Sequence, residues 1–224
     1  MSDSSIAQST SNPLSSRVSK LEELKLQFAQ SDLNMATVHQ LTETARVEKQ
    51  SRDLLGWLAK DYGSSGKGLL AILSVLLDLD DLQMSRQLVD DAVSSHAMYG
   101  DYLFHFAEFL IAEKQYTKAC YLMGWLSESR TDDYKLHQLY LKTLYRVGEY
   151  ALHHQCSQAF HDRFPSALEF RLEDIRAQVY RPHLTRHQIH EMKRDWVKQV
   201  EHLMPEQTRP APRSTSKLRI ALVG

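Results

Sequence analysis

The sequence predicts an all-α protein: a solenoid of stacked antiparallel helical hairpins, with a disordered N-terminal tail and an orphan strand at the C-terminal end. Three observations carry this. No proline lies between Pro13 and Pro165, and that interval is rich in Leu, Ala, Gln, Glu, Lys and Arg, all good helix formers. Two stretches repeat with an offset of 34 residues: Leu103, Phe106, Ala107, Leu110, Tyr116, Ala119, Met123 and Leu126 correspond to His137, Tyr140, Leu141, Leu144, Tyr150, His153, Ser157 and Phe160. Turn-forming residues then fall at the joins of that frame, so each unit is one hairpin whose apolar flank must be covered by the next.

Residues 1–16 are mostly Ser, Thr, Asn and Gln; they bury little and are expected to be disordered. Ser15 or Ser16 is placed to cap a helix over 17–31, whose Val18, Leu21, Leu24, Leu26 and Phe28 would cover the first repeat. Laying the frame backward from the clear pair gives four units in one register, 32–65, 66–99, 100–133 and 134–167. The first fits least well. His39, Thr42 and Glu48 fall where apolar or small residues are usual, as a terminal unit allows. Asp133 is placed to cap the first helix of the fourth unit, and Ser166 the helix that follows it. Residues 168–204 then form two more helices, broken at Arg181-Pro182-His183, with Phe170, Leu172, Ile175 and Val179 buried on one and Thr185 capping the other. Residues 205–217 read as a Pro- and Ser-rich linker. Residues 218–224 (LRIALVG) are the one strand-like run, and read as the start of an α/β domain.

Composition narrows function. The formal net charge is −1, which gives no bulk electrostatic drive toward nucleic acid or an anionic membrane. The longest apolar run, Leu69 to Leu77, is too short to span a bilayer, and the first residues lack the apolar core of a secretory signal. The expected location is the cytoplasm. The two cysteines, Cys120 and Cys156, lie on second helices of their hairpins and read as buried, reduced thiols. His183, His187 and His190 have helical spacing but no Cys or repeated carboxylate beside them, so a solvated polar face is expected rather than a metal site. Ser64-Ser65-Gly66-Lys67-Gly68 lacks the first glycine of a phosphate loop and the Ser or Thr after its lysine, and no strand precedes it. It reads as an inter-hairpin loop. The basic residues of the last two helices alternate with Glu169, Glu173, Asp174, Glu191 and Asp195, which argues for a salt-bridged surface. No catalytic, cofactor-binding or metal-ligating residue is expected in this chain.

In such solenoids the first helix of each hairpin lines the concave side. By frame position Leu70, Ser74, Leu77, Phe104, Glu108, Ile111, Gln138, Lys142, Tyr145 and Arg146 would face it. Phe104, Ile111 and Tyr145 are the natural anchors for a protein or peptide partner, with Glu108, Gln138, Lys142 and Arg146 supplying polar contacts. A homodimer is a further assembly this surface allows.

The 34-residue hairpins resemble the tetratricopeptide repeat. The junction after them resembles a narrower family. His190 and Trp196 on a helix, a Pro-rich linker and then Leu218-Arg219-Ile220-Ala221-Leu222-Val223-Gly224 are similar to the boundary between the repeat region and the catalytic region in bacterial SPINDLY-like and O-linked N-acetylglucosamine transferases, the family 41 glycosyltransferases. The family strand is of the LRIGYVS type. Ala221 and Leu222 replace its Gly and Tyr, Gly224 replaces its Ser, and the His-to-Trp spacing is looser here. The resemblance implies that the chain is the partner-binding part of an enzyme that moves a sugar from a UDP-sugar to Ser or Thr hydroxyls of proteins. The family's catalytic residues would follow Gly224, so none is carried onto this chain. The asparagine ladder of the eukaryotic members is replaced by Thr37, Ala71, His105 and Leu139. A free-standing adaptor or secretion-type chaperone of the same repeat class is the alternative.

Overall fold

Helix follows helix wherever the backbone is described. The computed structural model describes residues 19–180 and 184–203, and every regular element among them is helical. In order these are α1 (Lys20–Gln30), α2 (Met35–Val47), α3 (Ser51–Tyr62), α4 (Gly66–Asp78), α5 (Leu82–Ser95), α6 (Ala97–Ala112), α7 (Tyr116–Ser129), α8 (Tyr134–Val147), α9 (Tyr150–Arg163), α10 (Leu168–Ala177), a 3₁₀ turn Gln178–Tyr180, and α11 (Arg186–Leu203). The expected tail 1–16, the caps Ser15 and Ser16, Val18, His183, the linker 205–217 and the strand 218–224 lie outside the described residues. The chain divides into two compact units, one ending at Ser129 and the other starting at Arg130.

The hairpin turns inside the repeats share one construction. The first helix ends in a left-handed residue: Lys49 (φ 59°), Asp80 (58°), Lys114 (62°) and Gly148 (86°). The next N–H reaches back to the carbonyls of Ala45 (2.7 Å), Leu76 (3.0 Å), Leu110 (2.8 Å) and Leu144 (3.0 Å). This Schellman closure satisfies carbonyls the helix end would leave orphaned and turns the chain back on itself. The spacing from Lys114 to Gly148 is 34 residues, as is that from Asp80 to Lys114, but from Lys49 to Asp80 it is 31. The 34-residue frame therefore slips by three in the first hairpin. Leu41, Ala45 and Leu54 fill its core alongside Val38 and Leu58, while Met35 and Leu55 are only half-buried.

In the first unit α1 covers α2, and Leu21, Leu24 and Phe28 join α2, α3 and α4 in one apolar cluster. Leu26, expected in that cap, is exposed because it lies on the opposite side of α1. Helix α4 packs against α2, α3, α5 and α6, and its residues from Gly68 to Leu77 are all buried. Leu70, Ser74 and Leu77, expected to face an open groove, are 0%, 8% and 5% exposed, and the Ser74 and Thr42 hydroxyls lie 3.1 Å apart across the α2–α4 contact. Gly68 permits the α3–α4 approach: a Cβ there would sit 2.0 Å from the Tyr62 carbonyl oxygen. Lys67, in the loop that superficially resembled a phosphate cradle, donates to the carbonyls of Phe28 (2.9 Å), Ala29 (3.3 Å) and Ser31 (2.8 Å). Its ammonium thus caps the C-terminal end of α1, where the helix dipole favours a cation. Helix α6 begins at Ala97, three residues before the frame boundary, because His96 caps it by accepting from the Met98 N–H at 3.2 Å.

In the second unit α9 packs between α8 and α10, and α10 also meets α11. Asp133 caps α8 as expected, accepting from Leu136 N at 3.1 Å. Ser166 caps nothing: α10 starts one residue later, after Ala167, with no side-chain cap. Phe170 and Ile175 are buried, but Val179 falls in the 3₁₀ turn and is 54% exposed. Thr185 and Gln188 form a reciprocal box at the start of α11, Gln188 Oε1 accepting from Thr185 N (2.8 Å) while Thr185 Oγ1 accepts from Gln188 N (3.3 Å). Trp196 ties α11 down by donating to the Leu168 carbonyl at 3.1 Å.

Candidate functional site

The residues expected to bind a partner fall in both units. In the first, α6 buries Leu103, Phe106, Ala107 and Leu110 and leaves Phe104, Glu108 and Ile111 on its other face. Phe104 and Ile111 are half-buried and Glu108 is exposed, 2.8 Å from His105 Nδ1. In the second unit α8 buries Leu136, His137, Tyr140, Leu141, Thr143 and Leu144. Gln138 and Tyr145 are half-buried, and Lys142 and Arg146 are exposed. Tyr145 is not a lone anchor. Its hydroxyl lies 3.1 Å from that of Tyr180, and its ring packs edge-on to Tyr150 and Tyr180, each at 5.7 Å. Tyr150 and Tyr180 stack face to face at 4.3 Å. The hydrogen bond with Tyr180 is the main cause that holds the Tyr145 phenol above its ordinary range.

Sequence reasoning missed a second feature of the first unit, a pocket of about 600 Å³ lined by His39, Glu43, Arg46, Asp78, Tyr116 and Lys118 among others. His39, Glu43 and Arg46 recur at helical spacing along one face of α2. His39 meets Phe109 edge-on at 5.8 Å and lies 4.0 Å from the Glu113 carboxylate. Arg46 Nε donates to Glu43 at 2.9 Å, and this bond holds the Glu43 carboxyl below its usual range. Lys118 pairs with Asp78. The signal was present in two of the three residues that fitted the repeat worst: His39 lines this pocket and Thr42 bonds Ser74, so neither is a degraded core position.

Several groups singled out by type do other things. Cys120 and Cys156 are half-buried thiols, and burial pushes Cys156 up to about 11, which suppresses its thiolate. His187 pairs with Glu191 at 3.3 Å along α11, and among the described residues no group of three His, Cys, Asp or Glu is arranged to hold a metal ion. Among them too, no helix is long and apolar enough to cross a membrane.

No protein-family model matches the sequence, and no curated protein matches it. Solved structures do align with it. A fragment of MamA from Desulfovibrio magneticus RS-1 is 14% identical, with 77% of this chain and 97% of that one covered and a TM-score of 0.41. YrrB, described as a tetratricopeptide protein with an unusual peptide-binding site, is 12% identical over 82% of this chain and 95% of its own, at a TM-score of 0.43. Tetratricopeptide-like repeats of a Podosopora anserina kinesin light chain are 13% identical over 75% and 96%, at 0.42. The assignment of a helical-hairpin repeat fold rests on the helices and turns described above.

Proposed function

We propose that this chain is a protein-binding helical-repeat scaffold in which each unit offers a polypeptide-binding face of its own, that of α6 in the first and that of α8 in the second. One observation carries the reading. Helix α6 is anchored by a fully buried face, yet it keeps Phe104 and Ile111 half-exposed beside the exposed Glu108 on the opposite face. Apolar side chains held on a rigid element and framed by charge are the usual anchors of a protein interface. A photo-crosslinking amino acid placed at Phe104 or at Tyr145 in the full chain should in each case capture a partner polypeptide, and one placed at Lys60 on α3 should not. Phe104→Ala and Tyr145→Ala should weaken recovery of that partner about tenfold, the range of an interface anchor. Equal capture at all three positions would refute the reading.

The finer form of the proposal is the partner-binding part of a family 41 protein O-glycosyltransferase. It is supported by the resemblance of Leu218 to Gly224 to that family's first catalytic strand. The reading frame beyond codon 224 tests it: further strand-and-glycine motifs are expected, and this chain alone should not bind a UDP-sugar. The free-standing adaptor or secretion-type chaperone makes the opposite prediction, that deleting 205–224 leaves partner capture unchanged while no catalytic region follows.

A further inference from the structure

The outward face of α8 is basic from end to end. Besides Tyr134 and Val147 at its two ends, the exposed or half-buried positions of α8 are Lys135, Gln138, Leu139, Lys142, Tyr145 and Arg146. At about 100° per residue they fall within roughly a third of the helix circumference. The helix carries three cations and no acidic residue. At its C-terminal end the face runs into the Tyr145–Tyr150–Tyr180 cluster, where Tyr180 is 51% and Val179 54% exposed. Arg176 of α10 lies close enough to act on the Tyr145 phenol and is itself bonded to Glu173 at 2.7 Å. Acidic groups stand at the ends of the helix: Asp133 caps α8, Glu169 bonds the Tyr134 phenol in its first turn, and Glu149 is exposed in the turn after Gly148. The sign is local. The whole chain is close to neutral, and α6, the corresponding helix of the first unit, carries Asp101 and Glu108 and no Lys or Arg.

We propose that this face takes a short acidic segment of the partner protein, its carboxylates along the exposed Lys135 and Lys142 and one apolar side chain on the tyrosine cluster. The inference rests on the protein-binding reading and names the chemistry of its partner. Complementary charge sets the segment's direction and register, and the stacked rings supply rigid apolar area that loses little entropy on binding. A peptide is favoured over nucleic acid because the neighbouring helices do not extend the basic face: α9 sets Asp162 beside Arg163, and α10 sets Glu169, Glu173 and Asp174 against Arg171 and Arg176, so a longer polyanion finds no continuous cationic track.

The test uses the full chain and three fluorescein-labelled probes read by anisotropy. These are a ten-residue Glu/Asp peptide with one central Phe, its Lys/Arg counterpart, and an oligothymidylate of equal charge. The acidic peptide is expected to bind with a Kd of about 10 µM and to weaken as salt rises. Lys135→Glu with Lys142→Glu should weaken it at least about tenfold, and Tyr180→Ala should weaken it at low and high salt alike. Arg52→Glu with Lys60→Glu on exposed α3 should change nothing. Circular dichroism on each variant confirms that the helices are intact. Absence of binding by the acidic peptide, equal loss in the α3 control, or equal binding by the basic peptide or the oligonucleotide would overturn the proposal. If photo-crosslinking still captures a partner at Phe104 while the acidic peptide fails, the scaffold reading stands and only this inference falls.

Discussion

His153 is the residue most at odds with its surroundings. It is the fourth residue of α9, where α5 has Ser85 and α7 has Ala119, and all three are 0% exposed. Neither of its ring nitrogens has a hydrogen-bond partner among the described residues. Burial pushes its pKa down to about 4, against a weaker opposing pull from Asp174. The folded value lies below the unfolded one, so the unfolded chain takes up the proton first. The stability this group contributes is whole above about pH 6.5 and is lost as the pH falls toward 4, by at most about 3 kcal/mol. Burial shifts His137 the same way, although its Nε2 lies 2.7 Å from the Thr131 carbonyl oxygen. His153→Leu, close in volume and without a titrating group, should raise the urea midpoint at pH 5.0 and reduce its dependence on pH. An unchanged difference between the midpoints at pH 7.5 and pH 5.0 would show that His153 is protonated without cost. The 34-residue frame located this position correctly, since every other member of the two aligned sets except Tyr116 and Tyr150 is also buried. It did not show that the imidazole would lack partners, because that depends on which groups α8 and α10 turn toward it.

At the scale of elements, the turns repeat more faithfully than the helices. Three of the four left-handed turn residues are not glycine, and a side chain in that conformation costs about 1 kcal/mol. Lys114→Gly should therefore stabilise the chain by roughly 0.5–1 kcal/mol, and Gly148→Ala should destabilise it by about 1 kcal/mol. A Cβ built on Gly148 meets nothing within 4 Å, so the expected loss is conformational and not a clash. Thermal melts of the two variants beside the wild type check both signs; a loss in Lys114→Gly would mean that its aliphatic stem contributes more than its backbone costs. These turns also explain what was legible. Gly148 is a turn residue by type, and Lys114 stands one 34-residue period before it. Lys49 and Asp80 carry no such signal, so the 31-residue step between them went unseen and the first hairpin was framed three residues out of place. Helix α4 was misjudged differently. Its apolar residues run all the way round, the mark of a helix covered on every side, yet the repeat frame assigned Leu70, Ser74 and Leu77 to an open groove.

At the scale of the molecule, those same features predict where stability is held. The first unit is built around α4, whose Leu73 is 0% exposed among four neighbouring helices. The buried histidines, His137 and His153, both lie in the second unit, while His39, His96 and His105 of the first are half-buried or exposed. A core cavity and an acid pH should therefore act on different parts of the chain. Leu73→Ala leaves a void and should cost about 2–5 kcal/mol. If each compact unit opens as its own cooperative body, hydrogen exchange of this variant at pH 7.5 should show protection stripped from α2 to α6 while α8 to α10 stay near their wild-type rates. Lowering the pH to 5.0 in the wild type should do the reverse after correction for intrinsic exchange, loosening α8 to α10 while the α4 amides stay protected. Loss of protection spread evenly across both units under either treatment would show that they unfold as one, and the division after Ser129 would then describe contacts without describing stability.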